Sequence, residues 1–118
     1  TSIEAKVNIF LEEGLVADAI ATIDQRFSYD SLLLRVMQAA ISVNPQWVIA
    51  RARQRAEDII DRGKAEAYAT AVQWLEQVRA AYEQLGQTQD WQTYRDRLKT
   101  NHGRKRKLMN LLKTANLF

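Results

Sequence analysis

The chain contains no cysteine. That single absence removes disulfides, thiolate nucleophiles, iron–sulfur clusters and zinc fingers together. Proline occurs once and glycine four times in 118 residues. With so little turn chemistry and no segment alternating apolar and polar residues, there is little room for a sheet. No apolar run approaches the ~20 residues that a membrane-crossing helix needs. The most apolar stretch, Leu32 to Val43, is interrupted by Arg35, Gln38 and Ser42. The opening residues TSIEAKVNIF lack a basic segment leading into an apolar one, so no secretory signal is visible. No membrane contact is expected, and a cytoplasmic location is. The chain begins with Thr rather than Met, and we expect residues 1–118 to form one all-α domain belonging to a larger protein.

Acidic residues are missing from one region in particular. The first 59 residues carry 8 acidic against 6 basic side chains, whereas the last 59 carry 6 acidic against 11 basic. After Asp96 no acid appears, while Arg97, Lys99, Arg104, Lys105, Arg106, Lys107 and Lys113 follow. This asymmetry is the strongest electrostatic feature of the chain.

What is present is helical periodicity. Gly14, Gly63, Gly86 and Gly103 each fall where a helical pattern ends, as left-handed C-terminal caps do. Asn44 before Pro45 supplies an N-cap and a preset first turn. Seven helices are predicted, at about 2–13, 15–26, 29–43, 45–62, 65–85, 89–102 and 104–116. Thr1 and Glu4 have capping-box spacing at the first. The third is apolar on nearly every face and should be buried. The fifth has the clearest stripe, Tyr68, Ala71, Leu75, Val78, Tyr82 and Leu85, widened by Ala67, Trp74 and Ala81, so it should meet neighbours on two sides. Links of about two to five residues force antiparallel hairpins, which describes an α-solenoid or tetratricopeptide-like stack, or a bundle. A faint repeat, Asn44, Trp47, Arg51 and Arg53 against Thr88, Trp91, Arg95 and Arg97, keeps a constant offset of 44 and favours the solenoid.

No catalytic constellation emerges, and the chain is not expected to be an enzyme or to carry a cofactor. His102, beside Gly103 at a helix end, reads as a partner of the last carbonyls rather than a base. Ser2, Ser28, Ser31 and Ser42 lie at helix starts or on a helix face, outside any nucleophile elbow. Glu57, Asp58 and Asp61 form the one carboxylate cluster, but Arg53 and Arg62 sit four residues from Glu57 and Asp58. Ion pairs therefore explain the cluster without a metal. The aromatic residues Tyr68, Trp74, Tyr82, Trp91 and Tyr94 keep helical spacing on apolar stripes and read as core, with Trp74 the one expected to be partly exposed.

The run HGRKRKLMNLLK stands apart. Four cations opening a helix oppose its macrodipole. Lys99, Arg104, Lys105, Arg106 and Lys107 are candidates for contact with nucleic acid or with an acidic partner, repeated phosphate contacts being salt-dependent and largely sequence-blind. A solubilising face is the plainer alternative. Leu108, Met109, Leu112, Leu117 and Phe118 follow and are expected to offer an exposed apolar face, suited to a protein partner or a homodimer.

The segments LEEGLVADAIATID, YDSLLLRVMQAAISVNPQWVIARARQRAEDII and YATAVQWLEQVRAAYEQLGQTQDWQTYRDRLKTNHGRKRKLMNLL together span nearly the whole chain. They resemble the helical region C-terminal to the zinc finger of bacterial SWIM zinc-finger proteins. The most specific piece is AVQWLEQVRAAYEQLG, followed by a tryptophan–tyrosine helix and the stretch His102 to Met109. The resemblance implies a helical, tetratricopeptide-like companion of a zinc-binding module that acts in DNA or protein binding. The SWIM finger itself needs cysteines, so no zinc ligand carries over to this chain. The expected role is a non-catalytic helical scaffold for another protein or another part of the same parent, with nucleic-acid binding through the basic cluster as the alternative.

Overall fold

The computed structural model describes residues 2–25 and 29–118. Among them are seven α-helices: α1 (Ile3–Glu12), α2 (Val16–Gln25), α3 (Asp30–Ala40), α4 (Pro45–Asp61), α5 (Tyr68–Gln84), α6 (Thr88–His102) and α7 (Arg106–Thr114), with one 3-10 turn, Ala65–Ala67, before α5. The described residues contain no strand. Thr1 and Ser28, which the sequence pattern placed at helix starts, lie outside the described residues. The N-cap of α1 is Ser2, whose hydroxyl accepts from the Ala5 amide at 3.1 Å.

Local chemistry explains most helix ends. Asn44 caps α4 by accepting from the Trp47 amide at 3.2 Å, with Pro45 in the first turn. Gly14, Gly63 and Gly86 all have positive φ. Each ends its helix with the paired bonds of a Schellman motif; at Gly86 these run from Gly86 N–H to the Glu83 carbonyl and from Gln87 N–H to the Tyr82 carbonyl. Asn116, at φ 60°, closes α7 in the same way. Gly103 departs from the expectation. Its φ is −58°, and what excludes a side chain there is the Lys99 carbonyl oxygen, 2.7 Å from where a Cβ would stand.

The third helix stops at Ala40, short of the expected 43. Asn44 must adopt an extended φ of −143° to cap α4 and to precede Pro45. Residues Ile41–Val43 are therefore spent on a turn, tied by Val43 and Asn44 amides to the Ala40 carbonyl.

One cluster of buried apolar side chains draws on every helix. Its axis is α5, which packs against α3, α4, α6 and α7. Eight of its seventeen residues are buried, which is why its apolar stripe is wider than one neighbour requires. The closest partnership is between α4 and α5, each ~25 Å long at 1.5 Å per residue. Ala52 and Ala56 of α4 and Ala71 and Ala81 of α5 are all fully buried, and small side chains let two helix backbones approach closely. Side-chain pairs give the directions. Arg53 meets Tyr82 and Arg55 meets Trp74, so α5 runs against α4; Glu57 meets Tyr94 and Asp61 meets His102, so α6 runs with α4. Trp74 is buried at 1 % exposure, against the expectation of partial exposure, because α5 is covered on more than one side. Its indole N–H has no hydrogen-bond partner.

The molecule measures 45 × 32 × 21 Å. The short dimension corresponds to two layers of helices at ~10 Å each. The suggested 44-residue repeat is not matched in structural role. Asn44 caps α4, whereas Thr88 lies inside α6 and the preceding Gln87 makes no side-chain cap. Trp47 is half-buried and donates its indole N–H to Asp24 at 2.8 Å, whereas Trp91 is buried at 4 %. No helix among the described residues is long and apolar enough to cross a membrane.

Candidate functional site

The expected apolar face of α7 is turned inward. Leu108, Leu112 and Leu117 are fully or almost fully buried, Met109 is 9 % exposed and Phe118 is half-buried. The cause is a return of the chain past Asn116. Its left-handed backbone lets Leu117 N–H reach the Leu112 carbonyl, and Arg79 of α5 donates to the Asn116 carbonyl at 2.9 Å. The residues expected to form a free protein interface or a homodimer contact thus find their cover within the chain, against α5. Of the five, Met109 and Phe118 also reach a surface depression.

The basic cluster is divided by the fold. α7 begins at Arg106, so Arg104 and Lys105 precede it. Lys105 sends its ammonium to the Ile60 carbonyl at 2.9 Å, at the last turn of α4. A cation there satisfies a terminal carbonyl and complements the negative end of the α4 dipole. Close by, His102 Nε2 stands 3.5 Å from Asp61 Oδ1, so this histidine faces a carboxylate on another helix rather than its own last carbonyls. Arg104, Arg106, Lys107 and Lys99 are exposed. Lys99 and Arg106 line one depression of about 340 Å³ between α6 and α7, joined there by Lys113.

A larger groove, about 620 Å³, runs along the outer face of α4. Gln46, Ile49, Ala50, Arg53, Gln54 and Glu57 form its floor, and Leu85 and Gln87 at the α5–α6 turn close one end. Of these residues the sequence pattern singled out only Arg53 and Glu57, as an ion pair, and Leu85, in the α5 stripe; the concavity arises where the distant Leu85 and Gln87 come beside α4. A smaller depression continues from Arg53 past Tyr82, Thr93 and Tyr94.

Where the two depressions meet, four polar groups interlock. Arg53 donates to Glu57 at 3.2 Å and to the Tyr82 hydroxyl at 3.4 Å, and Tyr94 donates to Glu57 at 2.7 Å. The Arg53 guanidinium lies 4.1 Å from the Tyr94 ring centroid, within cation–π range. Partial burial pulls the Arg53 guanidinium pKa down, but the hydrogen bonds to Glu57 and Tyr82 outweigh it and the net displacement is upward. Burial, reinforced by the bond to Glu57, pushes the Tyr94 phenol well above its ordinary value of 10.0 and keeps it a neutral donor. The i, i+4 pair Arg53–Glu57 was visible in the sequence; the two tyrosine hydroxyls that complete it were not. Arg62 and Asp58 form the other expected pair, at 3.1 Å. Among the described residues no group of three metal-ligating side chains converges.

The four groups satisfy one another, one guanidinium charge balancing one carboxylate. The glutamate is bonded by both a guanidinium and a phenol, and among the described residues no serine or histidine is hydrogen-bonded to it. Beside it the groove presents side-chain amides from Gln46, Gln54 and Gln87 and apolar surface from Ile49 and Leu85. Comparison with protein-family models, curated proteins and solved structures returned no match.

Proposed function

We propose that this chain is a non-catalytic helical scaffold that binds an extended segment of another protein, or of its own parent, in the groove along α4. The observation that supports this reading is the groove's composition. Glutamine amides of Gln46, Gln54 and Gln87 line it together with Ile49 and Leu85, and Arg53 and Glu57 of its lining are tied to Tyr82 and Tyr94. Side-chain amides both donate and accept, which suits the backbone of an extended peptide, and the apolar floor suits one or two of its side chains. The resemblance to the helical region of SWIM zinc-finger proteins favours the same role, with any zinc chemistry carried by a different part of the parent and the location that of the parent.

Selection of peptides from a displayed random library on the immobilised chain tests the reading. Recovered peptides should lose at least about tenfold in affinity on Ile49→Glu, the equivalent of 1.4 kcal/mol, while circular dichroism shows the variant still folded. Selections that yield no peptide, or only peptides indifferent to Ile49→Glu, contradict it. The nucleic-acid reading retains support from the exposed Lys99, Arg104, Arg106 and Lys107, although Lys105 is engaged internally.

A further inference from the structure

The depression between α6 and α7 combines clustered positive charge with apolar walls. Three cations, Lys99, Arg106 and Lys113, stand around it, and no carboxylate side chain lines it. None of the three makes an ion pair among the described residues, although six arginine–carboxylate pairs are present elsewhere. Its remaining walls are apolar or neutral: Met109, Phe118 and Asn110. The Lys99 ammonium lies 5.9 Å from the Phe118 ring centroid, so a cation borders the aromatic wall directly. Gly103 also lines it, and a Cβ there would stand 2.7 Å from the Lys99 carbonyl oxygen.

We infer that this depression is a second binding site, distinct from the α4 groove, and that it takes an acidic peptide carrying an apolar anchor. Charge complementarity and the walls together select that occupant. Three unpaired cations in one rim attract carboxylates or phosphates alike. A phosphodiester strand answers the cations with its phosphates, whereas the wall of Met109 and Phe118 between those cations matches an apolar peptide side chain. A peptide brings both. Arg106 and Lys113 are seven residues apart on α7, an axial separation of ~10 Å. Three residues of extended chain cover the same distance at ~3.3 Å each. The recognised pattern is therefore a leucine or phenylalanine between acidic residues about three positions apart. The anchor enters between Met109 and Phe118, and the flanking carboxylates reach Arg106 and Lys113.

Fluorescence anisotropy with four labelled probes tests this directly: a decapeptide with a central phenylalanine flanked on each side by two glutamates, the same peptide with serine in place of phenylalanine, a 15-nucleotide single strand and its duplex. The phenylalanine peptide should bind at least about tenfold more tightly than the serine peptide, as burial of an aromatic side chain warrants. Arg106→Ala and Lys113→Ala should each weaken it by about fivefold or more. Lys107→Ala, a cation of α7 outside the depression, should leave it unchanged. All three positions are exposed, and thermal melts confirm folding. The inference is overturned if the serine peptide binds equally well, if no peptide binds, or if the oligonucleotides bind more tightly with Lys107→Ala as harmful as Lys113→Ala.

Discussion

The first 43 residues and the last 75 solve the problem of burial differently. Among the described residues, the exposed large apolar side chains Ile9, Leu15, Tyr29 and Val43 all fall in the first region. There, α3 buries five of its eleven residues, but α1 and α2 together bury only Val7, Ala19 and Ile23 across two ten-residue helices. In the second region α5 alone buries eight residues, and the aromatic side chains Trp74, Trp91 and Tyr94 are all inside. Charge follows the same division, with acids in excess early and cations late. A helix stabilised by neighbours on several sides can hold a groove to a fixed shape, whereas a thinly covered hairpin cannot. Both candidate binding sites lie in the second region, where the packing supports them.

The largest expected effect tests that contrast. Leu75 and Ile23 are both fully buried. Leu75→Ala, on the densely packed α5, should cost about 4–5 kcal/mol, near the top of the range for such truncations, whereas Ile23→Ala, where the surroundings can collapse, should cost about 2 kcal/mol. Equal losses in urea unfolding would break the comparison. The next effect concerns the α5–α6 turn beneath the groove. Gly86 has φ +68° with open space around it, so Gly86→Ala should cost about 1–2 kcal/mol from backbone strain alone, readable as a lowered melting temperature.

The Tyr94–Glu57 bond should cost about 1–2 kcal/mol on Tyr94→Phe at neutral pH. It also carries a pH signature. Because the phenol's pKa is raised in the folded state, the folded protein holds that proton more tightly than the unfolded chain. Its contribution is therefore fully present below pH 10 and declines as pH rises above the unfolded value of 10.0. Stability of the parent chain should fall more steeply above pH 10 than that of Tyr94→Phe; parallel curves from alkaline unfolding would remove the network from the account. The smallest effect is expected at the exposed Arg62–Asp58 pair. Arg62→Ala should change stability by less than about 0.5 kcal/mol, and a larger loss would mean that the end of α4 depends on more than Lys105 and His102.

Much of the fold was legible because helical spacing is a local signal. The stripe from Tyr68 to Tyr82 and the inward set Trp91, Tyr94 and Leu98 are buried as their periodicity implied. Three left-handed glycines likewise ended helices where the pattern lapsed. Misreadings came where a distant segment decides the outcome. Trp74 looked like the residue left over at the edge of a stripe until helices closed over α5 from more than one side. The Leu108–Phe118 segment looked uncovered because nothing local shows that Asn116 bends it back towards Arg79. The basic run was plain as charge, but its division was not. Lys105 is drawn to a carbonyl 45 positions earlier, while Lys99 and Arg106 are joined by Lys113. The α4 groove had no sequence signature at all, since its residues are those of any solvated helix face.

Scaffolding through that groove is the central claim, and amide chemical-shift mapping with a library-selected peptide tests it most directly. Saturating peptide should shift the amides of Gln46, Ile49, Ala50, Arg53, Leu85 and Gln87, with α1 and α2 unmoved. Shifts concentrated on the exposed Ile9, Leu15 and Val43 surface, with the α4 face silent, would contradict the account.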